Sequence, residues 1–143
     1  MKYFTIIIFI TFMFSGCMNN SSESINESHI WSLNVHSFDE ILTYDKDVIL
    51  IDMRDYFELQ NLWKIPWAKH IAYNDADFVT QISQLSKDTK YLIYCNSWNR
   101  TKNALAIMKD LWFSNVSDLD GGILAWLWAN KQVHMCDESS DFC

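Results

Sequence analysis

In Tyr91-Leu92-Ile93-Tyr94-Cys95-Asn96-Ser97-Trp98-Asn99-Arg100, a four-residue apolar run ends at a cysteine and gives way to a turn. The run has strand length and no helical punctuation, so it reads as a buried strand. Residues 96–99 read as the turn, and residues 101–112 have helical composition with Leu105, Met108 and Leu111 on one stripe. Cys95 therefore stands where a strand hands over to a helix. The unpaired N–H groups and dipole of a helix start favour an anion there, and Arg100 adds a nearby cation. A cysteine so placed is expected to lose its proton more easily than a free one. The alternative is a small buried hydrophobe closing a strand, which is common for free cysteine.

The chain has 143 residues, half of them hydrophobic, enough for one compact domain with short tails. A formal charge of −7, with a pI near 4.8 and no Lys/Arg cluster, argues against a nucleic-acid binder.

The first sixteen residues lie outside the expected fold. Lys2 supplies a positive start and residues 3–14 form an apolar run, too short to cross a bilayer comfortably, which points to a cleaved signal peptide. The run ends Phe14-Ser15-Gly16-Cys17, which resembles the lipobox of bacterial lipoproteins, with Phe14 where Leu is more usual. That resemblance implies lipidation of Cys17 as the first mature residue; an ordinary signal peptide with a chance cysteine is the alternative. Residues 17–28, polar and rich in Ser and Asn, read as a tether. An extracytoplasmic domain anchored to the outer side of a bacterial membrane is the expectation.

Within residues 29–134, a first edge strand is expected over 29–35. A helix is expected from the capping-box spacing Ser37-Phe38-Asp39-Glu40 to about Thr43. Residues 48–51 form an aliphatic run of strand length, followed by Asp52-Met53-Arg54. Helical pattern from Asp55 to about Leu62 is stopped by Ile65-Pro66. A short strand is expected over 69–72, and a helix carrying Phe78, Ile82 and Leu85, opened by Asn74 or Asp75. A last strand follows over 116–119, then Gly121-Gly122 and a helix over 123–129. Alternating strands and helices imply an α/β domain with a mainly parallel sheet flanked by helices. Its ligand site is expected beyond the carboxyl ends of the strands, where Asp52, Arg54 and Cys95 fall. Residues 135–143 read as an acidic tail.

Four segments in order, Ile51-Asp52-Met53-Arg54, Ile65-Pro66 with Ala68, Cys95 to Thr101, and Asp120-Gly121-Gly122-Ile123-Leu124-Ala125-Trp126, resemble the motifs of a single rhodanese domain. The resemblance implies a rhodanese-like fold and a sulfurtransferase. Cys95 as thiolate would take sulfane sulfur from a donor such as thiosulfate and pass it from a persulfide to a thiol or cyanide. It further implies that the loop of Asn96, Ser97, Trp98, Asn99, Arg100 and Thr101 cradles the persulfide, with Arg100 positioning the anionic donor. Asp52 and Arg54 would be supports around the site, with an exposed cation the plainer reading of Arg54, and Trp126 would pack the core. The related phosphatases and arsenate reductases use a loop one residue longer than the six from Cys95 to Arg100, so the length favours sulfur over a tetrahedral oxyanion.

The pattern departs from the family in one consistent way. Trp63, Trp67, Trp98 and Trp112 stand where the family commonly has Gly, and Asn96 where Arg is usual. The chain has 3 Gly and 7 Trp, whereas about ten Gly are expected at this length. Glycine at all four positions in the living cell, from a UGA codon read as Gly, accounts for this; genuine divergence, with Trp98 narrowing the pocket, is the alternative.

Cys136 and Cys143 can pair in an oxidising compartment, closing a loop worth about 2–3 kcal/mol, or stay free. The histidines show no ligand spacing, so no metal and no organic cofactor are expected. Two rivals to the enzyme reading are a non-catalytic rhodanese-like binding module and a thiol redox protein using Cys95 with Cys136. The expected partners are a small sulfur compound or protein thiol and, through Cys17, a membrane.

Overall fold

The computed structural model describes residues 29–59 and 63–135. Cys17, Cys136, Cys143, the expected signal peptide and tether, the end of the expected helix at Leu62, and all but the first residue of the acidic tail lie outside the described residues.

Strand β1 (His29–Leu33) and helix α1 (Val35–Tyr44) open the domain, followed by β2 (Ile49–Asp52) and the single turn α2 (Tyr56–Leu59). Two short strands, β3 (Trp63–Lys64) and β4 (Lys69–His70), precede α3 (Phe78–Ser83), β5 (Tyr91–Tyr94) and α4 (Asn99–Asp110). Strand β6 (Asn115–Leu119), α5 (Gly122–Trp128) and β7 (His134–Met135) complete it. The main sheet has the order β1-β6-β5-β2-β4 with every pairing parallel, so β1 lies at an edge as expected. Strands β3 and β7 form a small antiparallel pair that local sequence did not announce.

Alternation along the strands splits the core into two layers. Ile51, Tyr91 and Ile93 face one side with Phe78 and Ile82 of α3 and Ala104 and Met108 of α4. Leu50, Leu92 and Tyr94 face the other with Phe38 of α1 and Ile123 and Trp126 of α5. Both faces of the central strands are covered, which is why their sequences are continuously apolar. Trp126 is buried as expected, meets Phe38 edge-on, and donates its indole N–H to the Gln132 carbonyl at 2.9 Å.

Helix α1 starts earlier than the capping-box spacing suggests. Asn34 is its N-cap, with Oδ1 accepting from the Ser37 N–H at 3.0 Å. Ser37 is then the third helical residue and its amide, rather than its hydroxyl, takes part in the cap. Helix α3, by contrast, begins later than expected, at Phe78 after Asp77 rather than being opened by Asn74 or Asp75.

Two turns carry tryptophan in the left-handed region. Ile65-Pro66-Trp67-Ala68 closes with the Ala68 N–H on the Ile65 carbonyl at 3.4 Å, and Trp67 has φ 67°. Proline second and a positive φ third are the features of a type II turn. At the end of α4, the Phe113 N–H reaches the Met108 carbonyl at 3.1 Å and the Trp112 N–H reaches Lys109 at 3.0 Å, a Schellman closure with Trp112 at φ 66°. A side chain other than Gly or Asn in that region costs about 1–2 kcal/mol. Trp98, at the start of α4, has φ 159°. Trp63 lies in β3 with no positive φ, so the fold does not call for glycine there.

Replacing Asn34 by Ala is expected to lower the unfolding free energy by about 1 kcal/mol through loss of the α1 cap, read as a lower urea midpoint with unchanged slope.

Candidate active site

Cys95 is the first residue after β5 and is 1% exposed, packed at the carboxyl end of the sheet. Its main chain is held by α5. The Ile123 N–H donates to the Cys95 carbonyl at 2.9 Å and the Leu124 N–H to the Asn96 carbonyl at 3.2 Å. This close approach depends on Gly122. A Cβ built there would lie 2.5 Å from the Cys95 carbonyl oxygen and 2.6 Å from that of Asn96, and the residue has φ 59°. The sequence marked Gly121-Gly122 only as a helix start; its contact with the cysteine is a property of the tertiary fold.

Asn96, Ser97 and Trp98 form the loop, while Asn99, Arg100 and Thr101 already belong to α4. The Trp98 carbonyl receives the Lys102 N–H at 3.0 Å and closes the first turn. The structure thus brings together the whole expected set from Cys95 to Thr101 on one strand-to-helix junction.

Arg100 is held by acidic side chains that lie far from it in sequence. Its Nη1 meets Glu58 Oε2 at 2.5 Å and Asp55 Oδ2 at 3.1 Å, and Nη2 meets Glu58 Oε1 at 2.8 Å. These bonds to Glu58 and Asp55, with burial opposing and the Cys95 charge contributing, hold the guanidinium firmly protonated. The same Arg100 contact, against the cost of burial, keeps the Glu58 carboxyl below its usual range. Arg100 is therefore paired with two carboxylates from the segment around α2. Nothing in the local sequence announced Asp55 and Glu58, since their partner lies more than forty residues along the chain.

Arg54 is not an exposed cation: it is 1% exposed and Asp52 is fully buried. Arg54 Nε donates to Asp52 Oδ1 at 3.0 Å and Nη2 to Oδ2 at 2.7 Å, while Nη2 also reaches the Trp63 carbonyl at 3.0 Å. The Arg54 N–H bonds Asp52 Oδ1 and His70 Nε2 donates to the Arg54 carbonyl at 2.7 Å, so the pair ties β2 to β3 and β4. Burial works against the charge on Arg54, but Asp52 outweighs it and the guanidinium stays above its ordinary value. Tyr94, just before the cysteine, is pushed well up by burial and by the Asp52 charge, and its hydroxyl oxygen accepts the Ile65 N–H at 3.2 Å. Asp52 and Arg54 thus join β2, β3 and β4 beside the strand that ends at Cys95.

Beneath the loop, Thr101 Oγ1 lies 2.9 Å from both the Trp98 carbonyl and Asp118 Oδ2. A hydroxyl has one proton and a carbonyl only accepts, so both bonds are made in full when Asp118 carries a proton. Burial raises the Asp118 carboxyl, with Ser32 and Thr101 acting the other way, and its Oδ1 has no hydrogen-bond partner.

Residues 34–129 match the Rhodanese-like domain family. The chain belongs to that family. It is 30% identical over 94 residues to a sulfurtransferase of Allochromatium vinosum, covering 66% of this chain and 85% of that protein. It is also 34% identical over 87 residues to a tRNA uridine(34) hydroxylase of Wolbachia pipientis, which covers 59% of this chain but only 32% of that protein. The chain thus spans about a third of the length of the hydroxylases it matches. Among solved structures, a rhodanese-like domain from Anabaena superposes with a TM-score of 0.65 at 23% identity, covering 78% of this chain and 84% of that one. A homodimeric polysulfide-sulfur transferase of Wolinella succinogenes gives 0.63 at 20% identity, covering 82% and 86%. Both confirm the fold of this rhodanese-like chain, and membership supports sulfur transfer as its general chemistry.

Removing the charge of Asp52 in Asp52→Asn strands the buried Arg54 and is expected to cost about 3–5 kcal/mol in equilibrium unfolding. At Asp118 the folded chain keeps a proton that the unfolded chain releases as the pH rises past the ordinary 3.8, so stability is lost as the pH climbs through the raised folded value. Asp118→Asn is expected to remove that loss: a thermal-melt series should show the variant gaining on the parent toward neutral pH.

Proposed function

We propose that this rhodanese-like domain is a sulfurtransferase with Cys95 as its nucleophile. The observation that carries this reading is the placement of Cys95 at a strand-to-helix junction, with the carbonyls of Cys95 and Asn96 clamped by α5. In the first half-reaction the Cys95 thiolate attacks the outer sulfur of a donor. The new S–S bond forms as the donor's S–S bond breaks; with thiosulfate the leaving group is sulfite. In the second, an acceptor thiolate or cyanide attacks the outer sulfur and Cys95 leaves as thiolate. The α4 N-terminus offers N–H groups and a positive dipole end beside the terminal sulfur.

The donor class follows from Arg100. With Glu58 and Asp55 on its guanidinium, Arg100 carries no uncompensated charge, and Asn96 supplies no further cation. Arg100 so compensated gives a dianionic donor little net attraction, so a persulfide of lower charge is the better substrate. Anchoring through Cys17 on the outer side of a bacterial membrane belongs to the same proposal and rests on the lipobox-like Phe14-Ser15-Gly16-Cys17.

A second reading, a binding module without turnover, is favoured by the 1% exposure of Cys95. Sulfur-transfer assays with thiosulfate and with a small-thiol persulfide separate the two. The enzyme reading expects turnover that Cys95→Ala abolishes, and the module reading expects none in the parent chain. Glu58→Gln is expected to raise kcat/KM for thiosulfate about fivefold or more, mainly through KM, with little gain for the persulfide.

A further inference from the structure

Six described residues have positive φ: Gly121, Gly122, Asn130 and three tryptophans, Trp67, Trp98 and Trp112. Both described glycines are thus spent at positions of this kind, and Asn130 is the side chain that best tolerates them. It ends α5 as Trp112 ends α4: the Asn130 N–H reaches the Leu127 carbonyl at 2.9 Å and the Lys131 N–H reaches Trp126 at 3.2 Å. One helix closes on asparagine and the other, in the same geometry, on the bulkiest residue available. The type II turn at Trp67 repeats the anomaly, since its third position is ordinarily glycine. The indoles gain little burial in return: Trp67 is 76% exposed and Trp112 is 86% exposed, whereas Trp126, with ordinary backbone, is 3% exposed. Tryptophan at such places is a sequence-level contradiction of an otherwise consistent fold.

We infer that the protein made by its own cell carries glycine at positions 67, 98 and 112, because a UGA codon specifying glycine there has been translated as tryptophan. Positions 67 and 112 are demanded by the backbone. Position 98 joins them because its φ of 159° with ψ −18° lies outside the regions open to a residue with a side chain. Composition agrees, with 3 Gly and 7 Trp in the chain. The inference also deepens the proposed function, on which this part rests: with glycine at 98, the bulkiest side chain between Cys95 and Arg100 is gone, and residue 98 becomes the determinant of access to the thiol.

The test is the mass of tryptic peptides 65–69, 91–100 and 110–131 from protein isolated from the native cell. Glycine at 67, 98 and 112 is the expected result; tryptophan at any of the three overturns the inference. This readout does not depend on catalysis, so its failure is distinct from failure of the sulfurtransferase reading. In recombinant protein carrying tryptophan, W67G and W112G are each expected to raise Tm by about 4 °C or more, while W126G lowers it. Failure of both substitutions to raise Tm overturns the claim that these turns demand glycine.

Discussion

The contact between α5 and the end of β5 is the constraint on which the site depends. A nucleophile at the end of a buried strand is useful only if its main chain is fixed while its side chain faces a cradle. Here the two carbonyls after the strand are taken by the first N–H groups of α5, and only a residue without Cβ at position 122 lets the helix approach that closely. The helix start thereby satisfies its own orphan donors and the strand end its acceptors in one step. The buried Asp52–Arg54 pair does the corresponding work on the neighbouring strand, gathering β2, the β3 carbonyl and His70 around one guanidinium.

Charge is distributed so that both arginines near the site already have carboxylates. Arg54 belongs to Asp52 and Arg100 to Glu58 and Asp55. In the sulfurtransferase proposed above, a loop arranged in this way would hold a persulfide anion chiefly through backbone N–H groups and the α4 dipole. Asp118, underneath, links the strand end of β6 to the loop through Thr101, and its raised carboxyl makes that link strongest in the protonated state.

Much of this was legible in the chain itself. The apolar run ending at Cys95, the stripe on α4 and the order of motifs point to the parallel α/β fold and to Cys95 at a strand-to-helix junction, because strand and helix periodicities are local signals. The Trp-for-Gly positions were legible too, and backbone geometry then separated Trp67, Trp98 and Trp112 from Trp63. What was hidden is non-local. The β3–β7 pair joins segments about seventy residues apart, Glu58 finds Arg100 only after β2 and β5 pair, and Arg54 is buried by elements that come later in the chain. The start of α1 was missed for a local reason: Asn34 competes with Ser37 for the cap and wins.

The most direct test of the central claim is the intact mass of the protein after a single exposure to a persulfide donor, with the site of any added mass located by fragmentation. The account predicts one added sulfur, on Cys95, that disappears on addition of cyanide or an acceptor thiol. An unchanged mass, or sulfur found only on another cysteine, would contradict it.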